Sequence, residues 1–233
     1  MTKSKFTFFI TLFLLFTLNF IPCYGMESEE KVIYITFDDG PTKVSNKVLD
    51  VLDEYGVKAT FFLIGEQIQR NRDVVFRMYE NGHSIGLHSY THSRNKIYSS
   101  RSSFLDEMKK TQKELEELTG YKSTILRFPF GCNNNMYKLD NKMVDMLHSE
   151  GLKIFDWNVD SKDGAIQGLS SYDILKNSKT DKNRIILLLH CSSNNKNTVK
   201  ALPSIIKYYK EKGYTFKTID ANTDEQFRVI KKS

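Results

Sequence analysis

Val32-Ile33-Tyr34-Ile35-Thr36-Phe37-Asp38-Asp39-Gly40-Pro41 opens as an uncharged run of apolar, β-branched and aromatic residues and closes on two carboxylates and a turn. Such a run reads as a strand buried on both faces, the kind that parallel sheets use. Asp38 and Asp39 therefore emerge where a strand ends and a loop begins. A second segment, His88-Ser89-Tyr90-Thr91-His92, offers two imidazoles four residues apart, a spacing that would set both on one side of a helical turn. Carboxylates and imidazoles in this combination suit a shared divalent cation.

Further strand-like stretches cover 59–64, 84–87, 124–128, 153–159, 184–189 and 214–218, with amphipathic stretches between them. Residues 45–55 place Val48, Leu49, Val51, Leu52 and Tyr55 at helical spacing, with Ser45 as a cap and Gly56 as a stop. The stretches 74–79, 143–147 and 199–209 run into Gly82, Gly151 and Gly213 in the same manner, and 102–118 is the longest helix predicted. Strands alternating with helices imply a parallel sheet. An open doubly wound sheet and a closed barrel both satisfy that order, and periodicity does not separate them. The polar residues Asp38, Asp39, His88, Arg127, Asp160, Asp163 and His190 all fall at or near the C-terminal end of a predicted strand. Active sites of barrels and open α/β sheets lie on that side, where strand ends converge and loops vary freely.

The chain has 233 residues, 40% hydrophobic and 27% charged, which fits one globular domain with its own core. Lys3 and Lys5 followed by the apolar stretch 6–21 and small residues at Cys23 and Gly25 form a secretory signal, with cleavage expected after Gly25. An uncleaved membrane anchor is the second reading of that segment, although its apolar run is shorter than the roughly 20 residues a span needs. The expected organisation is a leader at 1–25, a polar lead-in at 26–31, the domain at 32–220 and a polar tail at 221–233. Net charge is +6 with the leader and +4 without Lys3 and Lys5, spread along the chain, so nucleic-acid binding is not expected. Past the leader only Cys132 and Cys191 remain, too few for a disulfide framework or a thiolate zinc site.

Taken in order, Thr36-Phe37-Asp38-Asp39-Gly40, His88-Ser89-Tyr90-Thr91-His92, Arg127-Phe128-Pro129-Phe130-Gly131, Asp160-Ser161-Lys162-Asp163 and Leu188-Leu189-His190 resemble the motifs of the polysaccharide deacetylases. These enzymes carry the NodB homology domain and form carbohydrate esterase family four. The resemblance spans about 32–219 and implies a distorted (β/α) barrel of about seven parallel strands, TIM-barrel-like. It implies a metal held by Asp39, His88 and His92: one divalent ion, zinc first, with cobalt, manganese or nickel as alternatives. Asp38 would be the general base, oriented by Arg127, whose guanidinium fork fixes a carboxylate and keeps its charge. Phe130 would offer its backbone N–H to the oxyanion, where the family often has Tyr. His190 would be the general acid, paired with Asp163, and Leu188 would line the acetyl pocket.

Two departures stand out. The family usually has Trp directly after the residue matching Asp163, and this chain has Gly164; Trp157 matches an aromatic that many members carry elsewhere. At Cys191 the family often has Asp; Cys132 and Cys191 read as two ordinary small core or loop residues, and because each stands one residue beyond a motif, their approach into a disulfide or a metal-sensitive oxidation is the alternative. Tyr90, Phe130, Tyr137 and Trp157 are candidates to stack on sugar rings. The activity implied is removal of N-acetyl groups from an amino-sugar polymer by a secreted or wall-associated monomer. Peptidoglycan N-acetylglucosamine is the first candidate substrate; N-acetylmuramic acid, chitin oligomers, exopolysaccharide and xylan are the alternatives. A silent wall-binding protein on the same scaffold, having lost its pocket at Gly164, is the competing reading from another class.

Overall fold

In a computed structural model describing residues 30–230, the chain forms eight parallel strands and eight α-helices. The strands are β1 (Val32–Gly40), β2 (Thr60–Leu63), β3 (Ser84–Leu87), β4 (Ile125–Leu126), β5 (Lys153–Ile154), β6 (Val159–Asp160), β7 (Arg184–His190) and β8 (Thr215–Phe216). The helices are α1 (Lys43–Tyr55), α2 (Gly65–Ile68), α3 (Arg72–Glu80), α4 (Arg94–Ile97), α5 (Arg101–Thr119), α6 (Asn141–Ser149), α7 (Ser171–Ser178) and α8 (Lys196–Glu211). The expected leader at 1–25 lies outside the described residues. Among those described, no helix is long and apolar enough to cross a membrane.

Seven strands follow one path, β5-β4-β3-β2-β1-β7-β6, and β8 pairs only with the start of β1. The stretch 153–159, predicted as one strand, is two short strands at opposite ends of that path. Four residues, 155–158, therefore carry the chain from one edge of the sheet to the other, which requires the sheet to curl into a distorted barrel. That seam is held by side chains as well as backbone. Asn158 Oδ1 accepts from Ile186 N on β7 at 2.9 Å, and Arg127 Nε donates to the Phe155 carbonyl at 2.8 Å.

Alternation along the strands assigns each residue to a layer. Ile33, Ile35 and Phe37 of β1, Phe61 and Leu63 of β2, and Ile185, Leu187 and Leu189 of β7 pack with Leu49 and Leu52 of α1 and Ile205 and Ile206 of α8. Phe62, Ile125, Phe155 and Ile186 take the opposite phase and form a separate inner cluster with Tyr34 and Trp157. Thr36, Asp38, His88, Arg127 and His190 share that inner phase. The apolar inner cluster thus forms the floor, and the polar ends of the same rows rise above it.

Helix α1 begins two residues earlier than the spacing predicted. Thr42, not Ser45, is the cap: its hydroxyl accepts from Val44 N and Ser45 N, while Ser45 Oγ accepts from Thr42 N at 2.9 Å. Such a cap contributes about 1 kcal/mol. Burial of Val48, Leu49 and Leu52 contributes on the order of 1.5–3 kcal/mol for each side chain, so packing holds the helix and the cap sets where it starts.

Candidate active site

Adjacent side chains on a strand point to opposite faces, so Asp38 and Asp39 could not ordinarily serve one cleft. An irregularity resolves this. The β1–β2 register shifts between Asp38 and Gly40, and Asp39 adopts φ 66°, turning its carboxylate to the same side as that of Asp38. Ser89, His92, Phe130 and Lys162 are the other non-glycine residues with positive φ among the described residues, and all lie in the loops around the same cleft. Local strain concentrated at one place marks a site whose geometry the surrounding fold enforces.

Asp39 Oδ1 is buried without a hydrogen-bond partner, 3.6 Å from His88 Nε2 and 3.3 Å from His92 Nε2. One ligand atom from each of the three residues lies within 4.8 Å of the others. The imidazoles are prepared as ligands. His88 Nδ1 stands 3.0 Å from the Arg127 carbonyl, which only accepts, so Nδ1 donates there and Nε2 is the nitrogen turned toward Asp39. Burial, reinforced by the neighbouring His88, pushes the pKa of His92 down to about 4, so its ring is neutral. An orphaned carboxylate oxygen facing two lone pairs fits a divalent cation of the zinc type.

The segment carrying both histidines is not helical, contrary to the spacing argument. It is a loop with left-handed turns at Ser89 and His92, and these turns bring the rings to a centroid separation of 5.2 Å. The loop is pinned from two sides. Gly65 N and Glu66 N, opening α2, donate to the Ser89 and Tyr90 carbonyls, and a Cβ on Gly65 would stand 2.5 Å from the Tyr90 ring. From α5, Glu107 accepts from Tyr90 N at 2.9 Å, Thr91 N at 2.7 Å and the Thr91 hydroxyl. Glu107 was not among the predicted site residues. Its signal was a carboxylate inside the apolar stripe Phe104, Met108, Thr111 and Leu115.

On one wall of the cleft, Asp38 is 2% exposed and Arg127 fully buried. Arg127 Nη1 donates to Asp38 Oδ1 at 2.9 Å and to Thr36 Oγ1 at 2.7 Å, and its remaining donors meet the Phe155 and Asp156 carbonyls. The second oxygen of Asp38 is left toward the cleft, 3.7 Å from His88 Nε2.

On the opposite wall, Asp163 Oδ1 lies 2.7 Å from His190 Nδ1, and Oδ2 accepts from His190 N and from Thr198 Oγ1. Burial alone would lower the pKa of His190, but the hydrogen bond and charge of Asp163 outweigh it and raise the value to about 9. Asp163 is held below its ordinary range by the same contacts, against the opposing effect of its burial. His190 is thus a cation near neutrality, tethered through Nδ1 with Nε2 free for the cleft.

The cleft between these walls encloses about 220 Å3 and is also lined by Phe130, Trp157, Leu188 and Gly164. Phe130 is 42% exposed at the rim, its ring 4.8 Å from that of His92 and 4.0 Å beneath the Arg94 guanidinium. Tyr90 and Tyr137 do not line it; Tyr137 stacks on Tyr98 instead. At position 164 there is no space for a wall residue, because a Cβ would stand 2.4 Å from His190 Cε1. The His190 ring fills the volume a side chain there would enter. Cys132 and Cys191 are both free and buried in different apolar clusters, as ordinary core residues and not as the alternative disulfide. Cys191 instead accepts from the Ser45 hydroxyl at 3.1 Å.

A family model described as polysaccharide deacetylase matches residues 25–151. The chain is 33% identical over 198 residues to the putative polysaccharide deacetylase YheN of Bacillus subtilis (strain 168), covering 82% of this chain and 68% of that protein. It is 35% identical over 195 residues to a peptidoglycan-N-acetylglucosamine deacetylase of Bacillus cereus, covering 81% and 69%. Its fold is similar to the crystal structure of the catalytic domain of peptidoglycan N-acetylglucosamine deacetylase from Eubacterium rectale, with a TM-score of 0.78, 31% identity and coverage of 86% and 94%.

Proposed function

The chain belongs to the polysaccharide deacetylase family, and from that premise we propose that it hydrolyses the N-acetyl group of N-acetylglucosamine in peptidoglycan, with Asp39, His88 and His92 holding one divalent cation, zinc first. The observation that carries this reading is the pairing across one cleft. A carboxylate tied to a buried guanidinium faces an imidazolium tied to a buried carboxylate, with the orphaned Asp39 oxygen beside them. One wall is built to take a proton and the other to give one.

When bound, the cation supplies Lewis-acid polarisation of the acyl carbonyl and a water nucleophile available near neutral pH. Asp38 Oδ2 takes the proton of the attacking water while Arg127 fixes Oδ1. The backbone N–H of Phe130 receives the negative charge that develops on the acyl oxygen. His190 Nε2 then gives its proton to the sugar nitrogen as the carbon–nitrogen bond breaks, leaving acetate and a free amine, and Asp163 steadies the ring throughout. Leu188 and Trp157 supply the apolar surface for the methyl group. A polymer substrate of this kind places the protein outside the membrane, at the cell wall.

Acetate release from purified peptidoglycan by the full chain, with zinc and with chelator, tests the proposal. Zinc-dependent acetate is expected, and Asp38→Asn is expected to lower kcat about 10²–10⁴-fold. A folded protein that binds peptidoglycan without releasing acetate would be a silent scaffold and would refute it.

A further inference from the structure

Beside the cleft, and outside the machinery assigned to it, lies a larger cavity of about 660 Å3 between the first turn of α1, α2 and the start of α8. Four cations line it, Lys43, Lys47, Arg70 and Lys196, against one acid, Glu66. None of the four belongs to an ion pair among the described residues. The first turns of α1 and α8 carry no acid, so Glu66 is the one carboxylate of the lining set against four cations. Like charges gathered in a concavity repel one another and stay together at a cost that an anionic ligand removes.

Position gives that ligand its identity. The cavity is lined by Pro41 and Thr42, just past β1, by Glu66 and Gln67, just past β2, and by Ser193 and Lys196, just past β7. These are the strand ends that carry Asp39 and His190. A polar recess of about 340 Å3 shares Asp39 and Gly164 with the cleft, and its Ser192 and Asn194 flank Ser193 of the cationic cavity in the chain. We infer that the cationic cavity is a subsite for carboxylate groups carried by the same polymer, a stretch of chain or substituent away from the sugar being deacetylated. The inference rests on the deacetylase reading. It makes the enzyme one that prefers carboxylate-bearing glycans over neutral ones, through binding rather than through the chemical step.

The test compares wild type with Lys47→Gln/Arg70→Gln/Lys196→Gln on two substrates: peptidoglycan stripped of phosphate polymers, and neutral N-acetylchitopentaose. Exposed ion pairs contribute about 0.2–1 kcal/mol each, so the variant's KM for peptidoglycan should rise about tenfold at low salt. Its kcat, and its kinetics on the neutral oligomer, should stay at wild-type values. Added salt should raise the wild-type KM toward that of the variant. Equal kinetics for the two proteins on peptidoglycan at low salt would overturn the inference, as would an equal loss on both substrates. Co-sedimentation with the same peptidoglycan, before and after amidation of its carboxylates, reads the subsite without turnover. Weaker sedimentation after amidation for wild type, and little change for the variant, is expected. If neither substrate releases acetate, the deacetylase reading fails and this binding comparison alone decides the subsite; retention that ignores amidation would reject it.

Discussion

At Arg127 a single side chain joins the site to the barrel interior. Its guanidinium is fully buried, bonds Asp38, Thr36 and two carbonyls, and lies 4.2 Å from the Phe62 ring. Breaking a buried pair from one side leaves an uncompensated charge, so Arg127→Met is expected to cost about 3–5 kcal/mol in urea unfolding. A loss below 1 kcal/mol would mean that Asp38 finds another partner. Gly164 acts through space rather than charge. In Gly164→Ala the new methyl must displace the His190 ring, so kcat is expected to fall about 10²-fold, toward the loss of a general acid. Adding His190→Ala to that variant should lower kcat little further; full activity in Gly164→Ala would show that the ring moves without consequence.

Among the elements, α5 supports the site without lining the cleft. Glu107→Ala would strand two backbone donors and one hydroxyl in the histidine loop. Zinc affinity is expected to fall about 10–100-fold in chelator competition while helical circular dichroism is retained; unchanged affinity would make Glu107 a matter of stability only. The case of Glu107 also shows what the sequence could convey. Strand β3 and most of β1, β2 and β7 were legible because uncharged runs between turn residues have one common solution in a parallel sheet. The motif residues were legible through their order. The split of 153–159 was not, because the cause is the curl of the whole sheet and not any residue in that stretch. The helical turn predicted for His88 and His92 failed similarly: spacing permits a turn, but the contacts from α2 and Glu107 select a loop. Gly164 was visible as a departure, yet only the position of His190 shows that its volume is already filled.

For the molecule as a whole, perturbed imidazoles shape stability against pH in opposite directions. His83 accepts from Ala59 N through Nδ1, its Nε2 has no partner, and burial depresses its pKa to about 4. The unfolded chain therefore takes up a proton that the native state refuses, and stability should decline as pH falls from 6.5 toward 4, by up to about 3 kcal/mol. His190, with its pKa raised to about 9, contributes fully below pH 6.5 and loses that contribution as pH rises through 9. Urea midpoints at pH 4, 5.5, 7 and 9 should peak near neutrality. His83→Gln should flatten part of the acid limb, the depressed His92 contributing the rest, and an unchanged acid limb would mean that His83 has no share in it. Strand β1, meanwhile, pairs along its length with β7, and Cys191 bonds the Asp38 carbonyl from 153 residues downstream. Contacts that distant cannot form until the late segment exists, and they make folding slow. A chain emerging from the ribosome with its N-terminus leading thus carries Asp38 early and His190 late, and the two walls of the cleft meet only then. Half-made copies remain chemically inert, and activity begins only when the far end of the polypeptide arrives.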